Sequence, residues 1–237
     1  MRFSFLTARW SNVFLATYAA PHDLLRPCLP PGLELDLRDG QAFVSLVAFD
    51  FLDTKVLGIP WPGYRDFSEL NLRFYVRRGN ERGVVFVREF VPKRLIVWLA
   101  RGFYNEPYRS APMASSICEN DVSITIEHRL TLAGRTNVLR VTGTKPAYRP
   151  DVSSLEHFLK EHKWGFNTDR RGRTVRYCVE HSIWDVFPVR DYTIDVDWET
   201  VYGPEWRLLH DVAPISTILA VGSAVAVYPK GRLVEST

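Results

Sequence analysis

The stretch Phe67-Ser68-Glu69-Leu70-Asn71-Leu72-Arg73-Phe74-Tyr75-Val76-Arg77-Arg78 alternates residue by residue. Leu70, Leu72, Phe74 and Val76 fall on one face of an extended chain and Glu69, Asn71, Arg73 and Tyr75 on the other, which is the period of a β-strand. Arg78-Gly79-Asn80-Glu81-Arg82-Gly83 follows as a turn, and Val84 to Val91 returns as the hairpin partner. Upstream, the turn signal Asp39-Gly40 precedes the β-rich run Phe43 to Phe49. Downstream, further strands are expected over 112–118, 121–131, 136–145, 173–182, 192–202 and 215–228, with Ala133-Gly134 as the turn between two of them.

Helical signals are few. Pro92 to Phe103 carries Leu95, Trp98 and Leu99 at helical spacing, with Pro92 suited to an early-turn position. Ser153 reads as an N-cap with Glu156 as its capping-box partner, opening a helix that runs to about Lys163. Pro21 to Arg26 reads as a short helical turn ended by Pro27, Pro30 and Pro31. The sum is an α+β fold dominated by antiparallel sheet, with two or three helices. Strands apolar on both faces suggest a sheet closed on itself, because closure removes exposed edges and a barrel can enclose a ligand cavity. No repeat, low-complexity tract or linker divides the chain, so residues 1–237 are expected to form a single domain.

Composition bounds the function. Apolar residues make up 46% and charged residues 24%, with a net charge of +3, which excludes disordered, collagen-like and coiled-coil classes. The cations are 24 Arg and only 6 Lys, so a lysine-based mechanism has few candidates. Cys28, Cys118 and Cys178 lie far apart, an odd number suited to reduced thiols in a cytoplasmic protein; Cys118 and Cys178 fall in strand-like runs and read as core filling. Met1 to Trp10 is interrupted by Arg2 and Arg9 and reads as no secretory leader, and the uncharged run Ala213 to Pro229 is too short for a membrane span and reads as a buried strand.

Motif chemistry is sparse. GxGxxG, Walker A, HExxH and GxSxG patterns are absent, and the six histidines lack zinc spacing, so neither a cofactor nor a metal is expected. Arg170, Arg171, Arg173 and Arg176 beside Trp164, Phe166 and Tyr177 could grip a phosphate backbone. The acidic residues that follow, and the small net charge, favour a solvated hairpin tip over nucleic-acid binding. The polar face of the quoted strand spaces Glu69, Asn71 and Arg73 at about 6.6 Å intervals. Either that face meets solvent, or it lies inside a barrel, where a carboxylate and a guanidinium must pair or engage a ligand.

Several segments together carry a family resemblance. They are Trp10-Ser11-Asn12, Leu29-Pro30-Pro31-Gly32-Leu33-Glu34-Leu35-Asp36, the strand from Phe67 to Val76, Gly83-Val84-Val85-Phe86, Ala100-Arg101, Pro107-Tyr108-Arg109-Ser110-Ala111 and His181-Ser182-Ile183-Trp184. On these the chain resembles the uncharacterised YqjF-like family, domain-of-unknown-function family 2071, within the acetoacetate decarboxylase-like superfamily. The resemblance implies a closed, cone-like antiparallel β-barrel with peripheral helices and a central cavity into which Glu69 faces. It also implies a lost nucleophile. Acetoacetate decarboxylase carries a lysine pair whose first member forms a Schiff base with an oxo acid, and the second depresses its pKa. The corresponding stretch here is Tyr104-Asn105-Glu106-Pro107-Tyr108-Arg109, which puts Tyr108 at the nucleophile's place and Arg109 at its cationic neighbour's; Lys93 lies 15 residues earlier.

The expected site therefore comprises Glu69 as general acid or base, Tyr108 as a hydrogen-bond donor, and Asn71, Arg101, Arg109 and His181 as binding groups, with the two arginines holding a ligand carboxylate. The plainer roles are ion pairs of Arg101 and Arg109 with Glu106 or Glu119, a packed Tyr108, and a core His181. Two functions follow. One is lyase- or hydrolase-like chemistry on a small organic acid without a Schiff-base lysine; the other is a non-catalytic metabolite-binding or protein-interaction module. Partners are limited to a small molecule, with no membrane and no nucleic acid, and the oligomeric state is not legible.

Overall fold

The alternating stretch is a strand with both faces buried, and the rest of the architecture explains why. A computed structural model describes residues 3–233; Met1 and Arg2 of the amino-terminal stretch read above, and residues 234–237, lie outside it. In chain order the strands are β1 (Leu6–Ala20), β2 (Glu34–Leu35), β3 (Ala42–Val56), β4 (Phe67–Arg78), β5 (Glu81–Val91), β6 (Tyr108–Ser110), β7 (Met113–Glu119), β8 (Ser123–Leu132), β9 (Arg135–Thr144), β10 (Trp164–Thr168), β11 (Thr174–His181), β12 (Val186–Phe187), β13 (Val189–Asp195), β14 (Ser216–Val227) and β15 (Gly231–Arg232). The helices are α1 (His22–Leu25), α2 (Arg94–Phe103), α3 (Leu155–Lys160) and α4 (Trp198–Tyr202).

Seven strands pair in a ring. The path runs β14-β1-β3-β4-β5-β10-β11 and returns to β14, because β11 pairs with β10 on one side and β14 on the other. The contact between β5 and β10 is parallel and brief, Trp164 opposite Gly83 and Gly165 opposite Val84. A Cβ on Gly83 would stand 2.3 Å from the Trp164 carbonyl oxygen, so the two backbones approach this closely only because residue 83 has none.

A second sheet, in the order β13-β9-β8-β7, covers part of the ring's outside. Along β8, Ile124, Ile126, His128 and Leu130 are buried and alternate with more exposed residues, so one face packs inward. That face shares a core with Leu70, Leu72, Phe74 and Val76, the apolar side of β4. Glu69, Asn71 and Tyr75 on its other side are equally buried, but toward the interior of the ring. The solvent-facing reading of that polar face is thereby overturned: covering both sides of a strand leaves water to neither.

Other expectations need correction. Residues 192–202 are not one strand: β13 ends at Asp195 and α4 begins at Trp198, with the Asp197 carboxylate accepting the Thr200 N–H at 3.1 Å as its N-cap. The cap of α3 is Ser154, whose Oγ accepts the His157 N–H, while Ser153 Oγ donates to Asp151. Cys118 is exposed on β7 rather than core filling, whereas Cys178 is buried. Strand β1, fifteen residues long, was not anticipated.

Candidate functional site

Three neighbouring strands bring the polar groups together inside the ring. On β4, Glu69 and Asn71 point inward two residues apart. On β5, Glu89 lies opposite Asn71. On β6, Tyr108 lies opposite Glu89 in a parallel pairing. Tyr108 Oη donates to Glu69 Oε2 at 2.7 Å, and Asn71 Nδ2 donates to Glu69 Oε1 at 2.9 Å, so both oxygens of this carboxyl are held. Glu106, in the link between α2 and β6, is hydrogen-bonded to Tyr177 from β11 and accepts from Asn167 Nδ2 at 3.1 Å. Tyr177 itself rests on Gly165, where any Cβ would stand 2.2 Å from its ring.

Glu69 and Glu89 are each 2% exposed and Glu106 is 4% exposed, and burial sets their electrostatics. Loss of water pushes the Glu69 carboxyl up to about 7, against the opposing effects of the Tyr108 and Asn71 hydrogen bonds and the Arg73 charge. Burial likewise pushes Glu106 up to about 8, with the Tyr177 hydrogen bond opposing and the Glu69 charge adding. Glu89 is driven well above the ordinary carboxylate range by burial and by the charges of Glu106 and Glu69. Like charges packed this closely do not all ionise, so the cluster retains protons at neutral pH. Burial beside these carboxyls raises the Tyr108 and Tyr177 phenols too, and both remain donors.

The cavity has a volume of about 130 Å³, and the rest of its wall is mainly aromatic and aliphatic, including Trp10, Phe49, Phe51, Phe67, Phe86 and Trp184. Arg73 reaches the same wall. Its Nη2 donates to the Leu159 carbonyl at 3.3 Å, while its Nε is buried without a hydrogen-bond partner. Trp10 Nε1, Asn71 Oδ1, Glu89 Oε2 and Glu106 Oε1 are also buried with hydrogen-bonding capacity unused. The residues that carry these unused donors and acceptors all line the same small space. No lysine is found in this wall among the described residues; Lys160, though buried, donates to Glu161 outside it.

The comparisons with known proteins bear on this arrangement. Residues 7–224 match the family model of an uncharacterised conserved protein, domain of unknown function 2071. The chain belongs to this family. A relative, the uncharacterised protein YqjF of Bacillus subtilis (strain 168), is 37% identical over 183 residues, covering 74% of this chain and 72% of YqjF. Among solved structures, an acetoacetate decarboxylase-like enzyme from Sphingomonas wittichii RW1 superposes with a TM-score of 0.66 at 14% identity, over 97% of this chain and 93% of the other. Acetoacetate decarboxylase from Legionella pneumophila gives 0.64 at 16% identity, over 96% and 86%. The enduracididine biosynthesis enzyme MppR complexed with pyruvate gives 0.66 at 13% identity, over 98% and 91%. At such identities these structures establish the fold: β-dominated α+β, acetoacetate decarboxylase-like.

In this DUF2071 chain, Glu69, Asn71 and Tyr108 all line the cavity. Arg101 and Arg109 do not join them. Both are exposed: Arg101 borders a surface depression with Asn105 and Arg170 at the outer side of Glu106, and Arg109 falls outside the cavity wall because its neighbour Tyr108 takes the inward position on β6. Glu119 is paired with Lys145 at 2.6 Å rather than with either arginine. His181 stands one layer back, stacked on Trp184 with centroids 4.4 Å apart and with Nδ1 2.9 Å from the Ser182 carbonyl oxygen. Glu89, Glu106, Arg73 and Tyr177 were not named as site residues. Arg73 shared the inward face with Glu69 and Asn71 and was the one member of that alternation available to be named.

Proposed function

We propose that the ring is a closed, cone-like β-barrel forming a single domain over residues 1–237, and that its cavity binds a small carboxylate-bearing molecule and moves a proton on it. The observation that carries this reading is the pairing of a proton-retaining carboxyl cluster with Arg73, whose Nε is buried without a hydrogen-bond partner. A protonated cluster does not repel an anion, and the guanidinium supplies the charge that Arg101 and Arg109 were expected to supply. The Trp10 indole N–H adds a second unused donor. Glu69, with its proton affinity near neutrality, is the general acid or base, and Tyr108 is the donor that orients it. The structural neighbour MppR is described in complex with pyruvate, itself a small carboxylate.

Tyr108 takes the place of the Schiff-base lysine in this reading, so the chemistry is lyase- or hydrolase-like proton transfer without a covalent amine. Incubation with a panel of oxo and hydroxy acids should yield product, and Glu69→Gln should lower the rate by about 10²–10⁴-fold. No borohydride-trapped adduct should form on any lysine; such an adduct would overturn the assignment. The absence of a lysine from the described wall also favours a second reading, a non-catalytic metabolite-binding or protein-interaction module, for which the same panel would stabilise the protein without product. Nucleic acid is a poor candidate partner. Arg173 is paired with Asp169 at 2.8 Å, and Arg176 is paired with Glu81 and stacked on Trp164, which fits a solvated hairpin tip. Among the described residues no helix is long and apolar enough to cross a membrane. The exposed free thiols of Cys28 and Cys118 fit a reducing, cytoplasmic compartment.

A further inference from the structure

The inner cavity of about 130 Å³ is near the size that holds a single benzene ring, and small-molecule sites generally span ~300–1,000 Å³. Immediately outside it, between α2 and the loop that follows β3, lies an apolar groove of about 200 Å³. Phe5, Val56, Ile96 and Leu99 belong to both walls, so the two spaces are neighbours that share a wall. Together the spaces reach the lower end of the usual range.

Helix α2 adds an independent observation. Not one of its ten residues is fully buried, although its sequence is strongly amphipathic. A helix this short gains its stability from packing an apolar face; here Ile96 and Val97 pack against the core, while Leu95, Trp98 and Leu99 border the groove. Trp98 on the helix is 68% exposed and Trp61 across the groove is 47% exposed. Exposed apolar side chains concentrated around a groove mark a binding surface.

We propose that the groove receives the tail of the molecule whose polar head lies at Glu69, Tyr108 and Arg73. The ligand is then an amphiphile, a carboxylic acid with an extended apolar tail that passes between Ile96, Leu99 and Val56. This inference rests on the head-group reading above, and the occupant is argued from the wall the two spaces share and from the small volume of the inner one.

The test is a homologous series, acetate to decanoate, run beside the matching n-alkanols by competition or calorimetry on the full chain. Affinity should rise about fourfold per methylene, the equivalent of ~0.8 kcal/mol per buried CH₂. Trp98→Asp and Leu95→Asp, which alter the outer groove, should lower the decanoate-to-butyrate affinity ratio at least tenfold. Affinity that stays flat beyond butyrate in the wild type, or a ratio unchanged in both variants, overturns the inference. Flat affinity accompanied by loss of self-association in the variants also overturns it, and assigns the patch to contacts between copies. Alkanols that gain with length while alkanoates bind no tighter than alkanols would support the tail and defeat the carboxylate head. Alkanoates that bind without length dependence would do the reverse.

Discussion

At the scale of single residues, the site is defined by carboxyl groups in a place where water is scarce. Glu106 in the folded chain keeps its proton up to about pH 8, whereas its ordinary value is 4.5. Between those values the folded state binds more protons than the unfolded one. The stability that this protonation contributes is therefore complete at acid pH and is lost as pH rises through the window, at up to ~1.4 kcal/mol per pH unit for one proton. Glu106→Gln cannot ionise, so its melting temperature should gain on that of the wild type as pH is raised across the same window. A difference independent of pH would mean that Glu106 titrates normally. Glu69, Asn71 and Tyr108 were legible from alternation and family resemblance. Glu106 was legible only as an ion-pair partner for an arginine, because nothing local in Asn105-Glu106-Pro107 says that the loop turns its carboxyl inward.

At the scale of elements, one β-bulge decides which charge enters the cavity. The β4–β5 hairpin starts with Arg78 opposite Glu81, and counting back without interruption would set Arg88 across from Asn71. The pairing shifts between Leu72 and Arg73, leaving Val87 as the extra residue, so Glu89 faces Asn71 instead. Arg88 is turned outward, where its Nη1 donates to the Val201 carbonyl. No signal in Val84 to Val91 announces that bulge, which is why Glu89 escaped the sequence reading. The β1 strand escaped for a related reason: from Asn12 to Tyr18 it is buried on both faces and shows no period. The α4 helix does carry a local signal, since Asp197 ahead of Trp198 is a cap residue. The parallel contact of β5 with β10 yields a prediction of its own. Gly83→Ala would drive a methyl into the Trp164 carbonyl and the Phe166 ring, and should cost about 1–3 kcal/mol, read as a lower urea midpoint. An unchanged midpoint would mean that β5 and β10 separate freely and do not hold the ring closed.

At the scale of the whole molecule, the β-dominated α+β class follows from composition and alternation, and the ring follows less directly. Many strands with both faces partly apolar suggest closure, whereas β4 itself carries one apolar and one polar face. In the structure closure accounts for the inner side alone, while β7, β8, β9 and β13 form a separate sheet that covers the outer side. Two layers, not one, make the strand apolar on its even positions and leave its odd positions to the cavity. That division is what places Glu69, Arg73 and the tyrosines in one dry compartment, where a proton near neutrality and an anion can be held together. The most direct test is the heat of binding of pyruvate and of octanoate at pH 7, measured in buffers of different ionisation enthalpy. A carboxylate arriving beside Glu69, whose value is about 7, should draw in up to about half a proton per ligand, and Glu69→Gln should abolish that uptake. Binding with no proton uptake, or with uptake unchanged in Glu69→Gln, would contradict the account.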